Sequence, residues 1–202
     1  AGLAASQAGY ARILLVGDRQ AIDARAEAEG LELGAIELID PADSEHTDRL
    51  ATLLLELRGP KGMTAGDAAQ RVREPLIFAN LMVRDGLADG CVAGAVHTTA
   101  DVVRAAIQLI GKAPGASLVS SFFLMMLCKE FHSLKGGMIF ADCGLVVDPD
   151  AEALSQIAMA AADSAEALLD EPARVAMLSF STSGSGHHAS VDKVVEAARK
   201  VK

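Results

Sequence analysis

The sequence is poor in aromatic side chains and in positive charge. Its 202 residues include no tryptophan, one tyrosine and six phenylalanines. Proteins that bind single-stranded nucleic acid by stacking use several exposed aromatics on a basic face, so this class is excluded. The 18 Lys and Arg residues against 27 Asp and Glu give a net charge of −9, whereas duplex-DNA binders normally carry the opposite balance. No nucleic-acid partner is therefore expected.

Cysteine and long apolar runs are also scarce. Cys91, Cys128 and Cys143 never form a Cys-x-x-Cys pair, which argues against a disulfide scaffold and a zinc knuckle. The longest apolar stretch, residues 118–128, contains two serines and is far shorter than the roughly 20 residues of a membrane-spanning helix. The chain does not open with a basic segment and an apolar core, so no secretory signal is expected. The composition predicts a folded, soluble, cytoplasmic protein with no membrane partner.

Short apolar runs alternate with longer amphipathic stretches. The predicted strands are residues 12–17, 35–39, 91–96, 118–127, 137–141 and 174–180. The helices between them have start signals, which are Thr64 with Asp67, Pro75, Thr98 or Thr99, Asp150, and Ser190. This alternation predicts a mostly parallel, doubly wound α/β architecture. A Pro- and Gly-containing segment, residues 112–117, is the best linker candidate and predicts two domains, 1–114 and 115–202.

One predicted strand-to-helix turn, residues 94–100, has the composition of an anion site. Small residues let backbone amides approach a ligand, the hydroxyls of Thr98 and Thr99 donate, and a helix N-terminus favours negative charge. Arg104 follows within two turns, and its guanidinium can hold phosphate bidentately. An equally open interpretation is that the threonines only cap the helix and Arg104 is a surface arginine.

A second turn, residues 181–189, combines hydroxyls, glycines and two histidines ahead of a helix. It also contains G-x-G-x-x-A at 184–189, a weak dinucleotide fingerprint because four polar residues separate it from the predicted strand. A plain solvent loop would have a similar sequence. His187 and His188 lack a third ligand at suitable spacing, so no metal site is expected. The residues alone indicate an α/β protein that binds an anionic ligand.

Several segments, in order, resemble the phosphate acetyltransferase (phosphotransacetylase) family. The strongest is ADGCVAGAVHTTADVVRAA at 88–106, where the family has ADG-V-GAVHTTA---R. The other segments are ELR with KGMT at 56–64, LVSSFFL at 118–124, FADCGLVVDP at 140–149, AADS at 161–164 and RVAMLSFSTSGS at 174–185. The resemblance extends from about Arg12 to Lys202, and the ordered set is highly specific.

The resemblance implies reversible transfer of an acetyl group between coenzyme A and inorganic phosphate. Coenzyme A, acetyl-CoA, phosphate and acetyl phosphate would be substrates, with no bound cofactor and no metal. The implied fold has two doubly wound α/β lobes with a cleft between them, as in isocitrate and isopropylmalate dehydrogenases, in a cytoplasmic homodimer. The catalytic arginines would be Arg58 and Arg104. The substrate-binding residues, facing the cleft from opposite lobes, would be His97, Thr98, Thr99, Ser181, Thr182, Ser183, Gly184, Ser185 and Gly186.

The chain departs from the family pattern at both ends. The family's first strand has no counterpart before Ala1, and a later segment with a Ser-Arg pair and an aspartate that helps deprotonate the thiol has none either. We therefore expect a fragment. The alternatives are a butyryl or other short-chain acyl preference, an NAD-dependent oxidoreductase using residues 184–189, and a non-catalytic CoA-binding regulatory domain.

Overall fold

Helices dominate the fold, and its strands are short. The computed structural model describes residues 1–34, 36–131, 136–182 and 185–202. The helices are α1 (Gly2–Gln7), α2 (Arg19–Ala28), α3 (Thr47–Arg58), α4 (Ala65–Arg71), α5 (Pro75–Arg84), α6 (Thr99–Leu109), α7 (Ala151–Leu169) and α8 (Ala189–Val201), with a 3₁₀ turn at Gly59–Lys61. The strands are β1 (Leu14–Val16), β2 (Glu37–Ile39), β3 (Phe122–Leu127) and β4 (Gly136–Ala141). The chain divides into two compact units, unit 1 (Ala1–Gly111) and unit 2 (Lys112–Lys202).

After α1, unit 1 continues with a β-α-β arrangement. β1 and β2 pair in parallel, with Leu14 opposite Glu37, and α2 forms the connection. The carboxylate of Asp18 caps α2 by accepting a hydrogen bond from the N–H of Ala21 at 2.7 Å. The two predicted strands are confirmed in shorter form, although predicted residue 35 lies outside the described part of the chain.

The core of unit 1 is a single cluster between its helices and β2. Leu50 and Leu54, one turn apart on α3, are almost fully buried. Phe78 has no exposed surface at all. The cluster consists of Ile39, Leu50, Leu54, Ala68, Val72, Leu76, Ile77, Phe78, Leu81, Met82, Ala105 and Leu109. Close-packed apolar side chains of this kind supply most of the stability of a small domain.

Unit 2 contains an antiparallel strand pair, which corrects the mostly parallel sheet that the sequence predicted. Phe122 lies opposite Ala141 and Leu127 opposite Gly136. Parallel neighbours need a crossover of a dozen or more residues, usually with a helix, and only residues 128–135 separate these two strands. Such a short connection permits an antiparallel pair.

Two predicted strands, residues 91–96 and 174–180, are not strands in the structure. Most of their apolar side chains lie in solvent, and Val92, Val96, Leu178 and Phe180 are all more than 70% exposed. A strand requires a hydrogen-bonded neighbour, and no described strand pairs with either segment. Their composition favours a strand, but local composition does not supply a pairing partner.

The helices of unit 2 pack on each other, and α7 also packs on β4. Gly137 leaves room for this contact, because a Cβ there would overlap the side chain of Leu169. Asp150 caps α7 as predicted, accepting a hydrogen bond from the N–H of Ala153 at 2.8 Å. The predicted cap Ser190 is wrong. His188 precedes α8, and its Nδ1 accepts a hydrogen bond from the N–H of Ser190 because an imidazole nitrogen can replace the usual oxygen.

Asp142 ties the start of β3 to the end of β4. Its carboxylate accepts hydrogen bonds from the N–H and hydroxyl of Ser121, at 2.7 and 3.0 Å, and from the N–H groups of Gly144 and Leu145, at 2.6 and 2.8 Å. Desolvation opposes ionisation, but these hydrogen bonds outweigh it and lower the pKa of Asp142 to about 2. The ionised carboxylate therefore stabilises the fold.

This contact predicts an acid-dependent loss of stability in unit 2. A carboxyl whose pKa is lower when folded stabilises above its unfolded pKa, about 3.9, and this contribution disappears as the pH falls towards 2. We expect Asp142→Asn to be less stable than the unsubstituted chain in urea at pH 6, and the difference to narrow between pH 4 and pH 2. The exposed Asp163 of α7 offers a matched control, Asp163→Asn. Equal pH dependence in the Asp142→Asn variant and the unsubstituted chain would contradict the assignment.

Candidate functional site

The start of α6 carries the strongest cluster of predicted site residues. Thr98 is the N-cap, with an extended backbone conformation, and its hydroxyl oxygen accepts a hydrogen bond from the N–H of Asp101 at 3.2 Å. The first N–H groups of a helix have no intrahelical acceptor, and residues 97–100 are exposed. This end of the helix therefore presents donors and the positive end of the helix dipole to solvent.

Asp101 connects two of the predicted site residues, Thr98 and Arg104. Its Oδ2 accepts the Thr98 hydroxyl at 2.6 Å, and its Oδ1 accepts Nη1 of Arg104 at 2.9 Å. The hydrogen bond from Thr98 and the nearby guanidinium of Arg104 lower the pKa of Asp101. The Thr98 hydroxyl is thus both donor and acceptor inside the protein, while Arg104 uses one of its five N–H groups in this contact.

Arg58 is the last residue of α3, in the same unit as Arg104. Its side chain is partly buried and has no hydrogen bond or ion pair within the described ranges. The helices that carry the two arginines, α3 and α6, contact each other. A partly buried guanidinium with no protein acceptor has its hydrogen-bonding capacity available for an anionic ligand.

The segment before α6 is an exposed loop. Gly94 has a φ of 118°, a conformation that favours glycine, and residues 91–98 contain no regular structure. His97 is exposed next to Thr98, and Thr99 is the first residue of the helix. These small and polar residues leave the start of α6 open to a ligand.

The second predicted segment, in unit 2, is a turn held by its own hydroxyls. The Oγ atoms of Ser181 and Ser185 lie 3.2 Å apart, and Ser185 Oγ accepts the N–H of Thr182 at 3.2 Å. Gly186 lies close to Ser181, since a Cβ on the glycine would come within 3.2 Å of the serine hydroxyl. The predicted residues Ser183 and Gly184 lie outside the described ranges.

The aromatic rings on either side of this turn contact each other. The rings of Phe180 and His188 meet edge to face, with centroids 5.6 Å apart. The glycines of a dinucleotide fingerprint directly follow a β-strand. Residues 174–180, which precede the G-x-G-x-x-A segment here, do not form a strand. The structural context that would support the fingerprint is therefore missing.

Within the part of the chain that the structure describes, the two predicted site segments, residues 94–100 and 181–189, coincide with neither a group of metal ligands nor one of the two hollows below. Within the described ranges, no three His, Cys, Asp or Glu side chains are grouped to hold a metal ion. A hollow of about 390 Å³ lies beside α2, and another of about 200 Å³ lies beyond the end of β2. The first is mostly apolar, and neither is lined by Arg58, Thr98 or Arg104.

None of the described helices is both long enough and apolar enough to span a bilayer.

Sequence reasoning missed Asp101 as part of this cluster. Its spacing was informative, because Asp101 is three residues after the cap Thr98 and three residues before Arg104. Residues three apart on a helix are neighbours, and the third residue after a cap can bond back to it. Both relations together are compatible with a bridging carboxylate.

Comparison with known proteins gives a consistent result over the whole chain. Residues 1–202 match the family described as phosphate acetyl/butaryl transferase. The phosphate acetyltransferase of Paracoccus denitrificans is 50% identical over 190 residues, which are 94% of this chain and 56% of that protein. The phosphate acetyltransferase of Thermoanaerobacterium thermosaccharolyticum is 44% identical over 96% of this chain and 58% of its own length.

Solved structures show the same relation. The EutD phosphotransacetylase from Staphylococcus aureus superposes with a TM-score of 0.81 at 35% identity, over 93% of this chain and 55% of that one. A phosphotransacetylase from Streptococcus pyogenes gives a TM-score of 0.78 at 36% identity, over 92% and 55%. The chain therefore spans little more than half the length of these relatives and structures.

Proposed function

Because this chain belongs to the phosphate acetyl/butaryl transferase family, we propose that the protein transfers an acetyl group reversibly between coenzyme A and inorganic phosphate. The match over all 202 residues carries this proposal. The structure supports it with two arginines in unit 1. Arg58 is partly buried and has no side-chain partner among the residues that the structure describes, and Arg104 lies beside the open start of α6. Both substrates are anionic, and a chain with a net charge of −9 needs such local positive charge to hold them.

The proposed reaction balances without a cofactor or metal. The sulfur of coenzyme A attacks the carbonyl carbon of acetyl phosphate, so that a C–S bond forms and the C–O bond to phosphate breaks. The bonding electron pair leaves with the phosphate, and the thiol proton ends on it as hydrogen phosphate. In the reverse direction, an oxygen of hydrogen phosphate attacks the thioester carbonyl carbon, the C–S bond breaks, and the sulfur takes up the proton to leave as the thiol of coenzyme A.

Arg58 and Arg104 are proposed to stabilise the negative charge of this reaction. Charge collects on the phosphoryl oxygens and on the carbonyl oxygen as the C–O bond breaks. Fixed N–H donors aimed at such oxygens contribute about 3–4 kcal/mol each in other enzymes. Holding both substrates together contributes further by proximity. The residues proposed to contact substrate are His97, Thr98, Thr99, Ser181, Thr182, Ser183, Gly184, Ser185 and Gly186. Thr98 is proposed to order the helix start as well.

The finer features implied by the family resemblance are also proposals. We propose two doubly wound, dehydrogenase-like lobes, to which residues 1–114 and 115–202 contribute. The TM-scores of 0.81 and 0.78 support a shared architecture. A homodimer in the cytoplasm, with coenzyme A as substrate and no bound cofactor, completes the proposal.

The test is thioester formation from acetyl phosphate and coenzyme A by the purified chain, with phosphate release followed in parallel. Equal rates of the two signals are expected from acetyl transfer, whereas phosphate release without thioester would indicate hydrolysis. Binding of coenzyme A and phosphate is measured on the same sample. A chain that neither turns over nor binds either ligand would contradict the proposed function.

The alternatives are tested in the same sample. Faster reaction with butyryl phosphate than with acetyl phosphate would assign the protein a longer acyl substrate. Binding of NAD(H) without binding of coenzyme A would support an oxidoreductase. Binding of coenzyme A without turnover would support a non-catalytic regulatory domain.

A further inference from the structure

We propose that Asp101 is a positioning residue, which holds the guanidinium of Arg104 at the start of α6 in the anion-binding arrangement. This inference rests on the proposed function, in which Arg104 binds the phosphoryl group. It assigns a role to a residue that the function described above does not use.

The carboxylate of Asp101 is fixed at both oxygens. Oδ2 is 2.6 Å from the Thr98 hydroxyl, and Oδ1 is 2.9 Å from Nη1 of Arg104. The N–H of Asp101 also donates to the Thr98 hydroxyl oxygen at 3.2 Å. The guanidinium is therefore connected to the helix cap through a single residue.

A second helix of the same unit shows what this arrangement adds. At the start of α4, Asp67 accepts both the N–H and the hydroxyl of Thr64 at one oxygen, at 3.0 and 2.7 Å, which completes a capping box. The arginine one turn later, Arg71, pairs with Glu74 instead. At the start of α6, the carboxylate of Asp101 accepts no hydrogen bond from the backbone N–H of the cap Thr98. Its second oxygen instead pairs with the guanidinium of Arg104.

The direction of the contact suits an anion at the helix start. Long side chains on a helix point back towards its N-terminus, where the free N–H groups lie. Arg104 is about 60% exposed, so without a partner its guanidinium would sample several rotamers. The bond to Asp101 occupies Nη1 only and leaves the remaining N–H groups for a phosphoryl group.

The negative charge of Asp101 by itself repels a bound phosphate, whereas its contact with Arg104 favours phosphate binding. Because the two effects have opposite signs, a measurement can separate them. If the carboxylate were an internal competitor for Arg104, its removal would tighten phosphate binding. If it positions Arg104, its removal weakens phosphate binding, and only when Arg104 is present.

The experiment measures the dissociation constant of inorganic phosphate by calorimetry, with the KM and kcat of acetyl transfer as a second readout. We expect Asp101→Asn to raise the dissociation constant about two- to fivefold, the range of exposed charge pairs. The matched Asp67→Asn variant removes the same charge from the same kind of cap and is expected to leave the constant unchanged. Asp101→Glu should restore affinity, because glutamate also suits this capping position.

A double-mutant cycle decides whether Asp101 acts through Arg104. In an Arg104→Ala background, Asp101→Asn should cause no further weakening. An additional loss there, tighter binding by Asp101→Asn, or an equal loss in Asp67→Asn would each overturn the proposal.

A measurement without ligand separates this inference from the proposed function. The side-chain N–H signals of Arg104 in nitrogen-15 NMR should change in Asp101→Asn and stay the same in Asp67→Asn. Unchanged signals in Asp101→Asn would overturn the contact itself. If the Arg104 signals change in Asp101→Asn but the unsubstituted chain does not bind phosphate, the contact between Asp101 and Arg104 stands and its role in anion binding is overturned.

Discussion

Replacing Arg104 with alanine is expected to weaken binding of inorganic phosphate and acetyl phosphate about 10- to 100-fold. A guanidinium can hold a phosphoryl group with charge-assisted hydrogen bonds, and a loss of about 1.5–3 kcal/mol, the contribution of one hydrogen bond to a charged group, corresponds to a change of this size. Arg104 makes only one ion pair inside the protein, an exposed one with Asp101. The free energy of unfolding should therefore change by less than about 1 kcal/mol.

The measurement is the dissociation constant of phosphate, together with the KM for acetyl phosphate where turnover is present. Arg73→Ala is the matched control, because Arg73 is an exposed arginine of the same unit with no side-chain partner in the described ranges. Arg104→Lys keeps the charge but loses the planar fork, and should bind phosphate with intermediate affinity. Phosphate affinity that is the same in Arg104→Ala and in Arg73→Ala would remove Arg104 from the site.

Truncation of Phe78 to alanine is expected to destabilise unit 1 by about 3–5 kcal/mol. Phe78 has no exposed surface and lies within the buried cluster between β2 and the helices of unit 1. Its removal loses the transfer free energy of the ring and leaves a cavity that the neighbouring helices can fill only in part. Small domains have a total stability of about 5–15 kcal/mol, so this loss is large.

Urea unfolding followed by circular dichroism measures this effect. Tyr10→Ala is the matched control, since Tyr10 is also aromatic and in unit 1 but is 85% exposed. Its effect should stay within about 0.5 kcal/mol. A loss below about 1 kcal/mol in Phe78→Ala would mean that the ring is not packed as the structure describes.

The helices were predictable because their signals are local. Thr64 with Asp67, Pro75 and Asp150 mark helix starts in the sequence, and the structure confirms each of them. Capping hydrogen bonds join residues two or three apart, so the spacing alone identifies them. The error at Ser190 arose because histidine, which is rarely a cap, performs the same role at α8.

The strands were less predictable because their stability depends on distant partners. Residues 91–96 and 174–180 have the composition of buried strands, but no described strand pairs with them. The direction of the β3–β4 pair could have been derived from the short connection at residues 128–135, whereas alternation of strands and helices alone suggested a parallel sheet.

The candidate site was predictable in its residue types but not in its contacts. The sequence placed Thr98 and Arg104 at one helix start, and the resemblance added Arg58. The bridge through Asp101 depends on which side-chain rotamers are populated, and spacing permits that bridge without requiring it. The capping bond of Thr98 was predictable, whereas the bond from its hydroxyl to Asp101 was not.

The composition of β3 sets a limit on the colloidal stability of this chain. Its six residues contain no charge, no proline and no glycine, and five of them are more than a third exposed. Uncharged apolar segments with free strand edges are the ones that assemble into intermolecular cross-β structure. We therefore expect concentrated samples to associate through β3, so binding and kinetic measurements belong at low protein concentration.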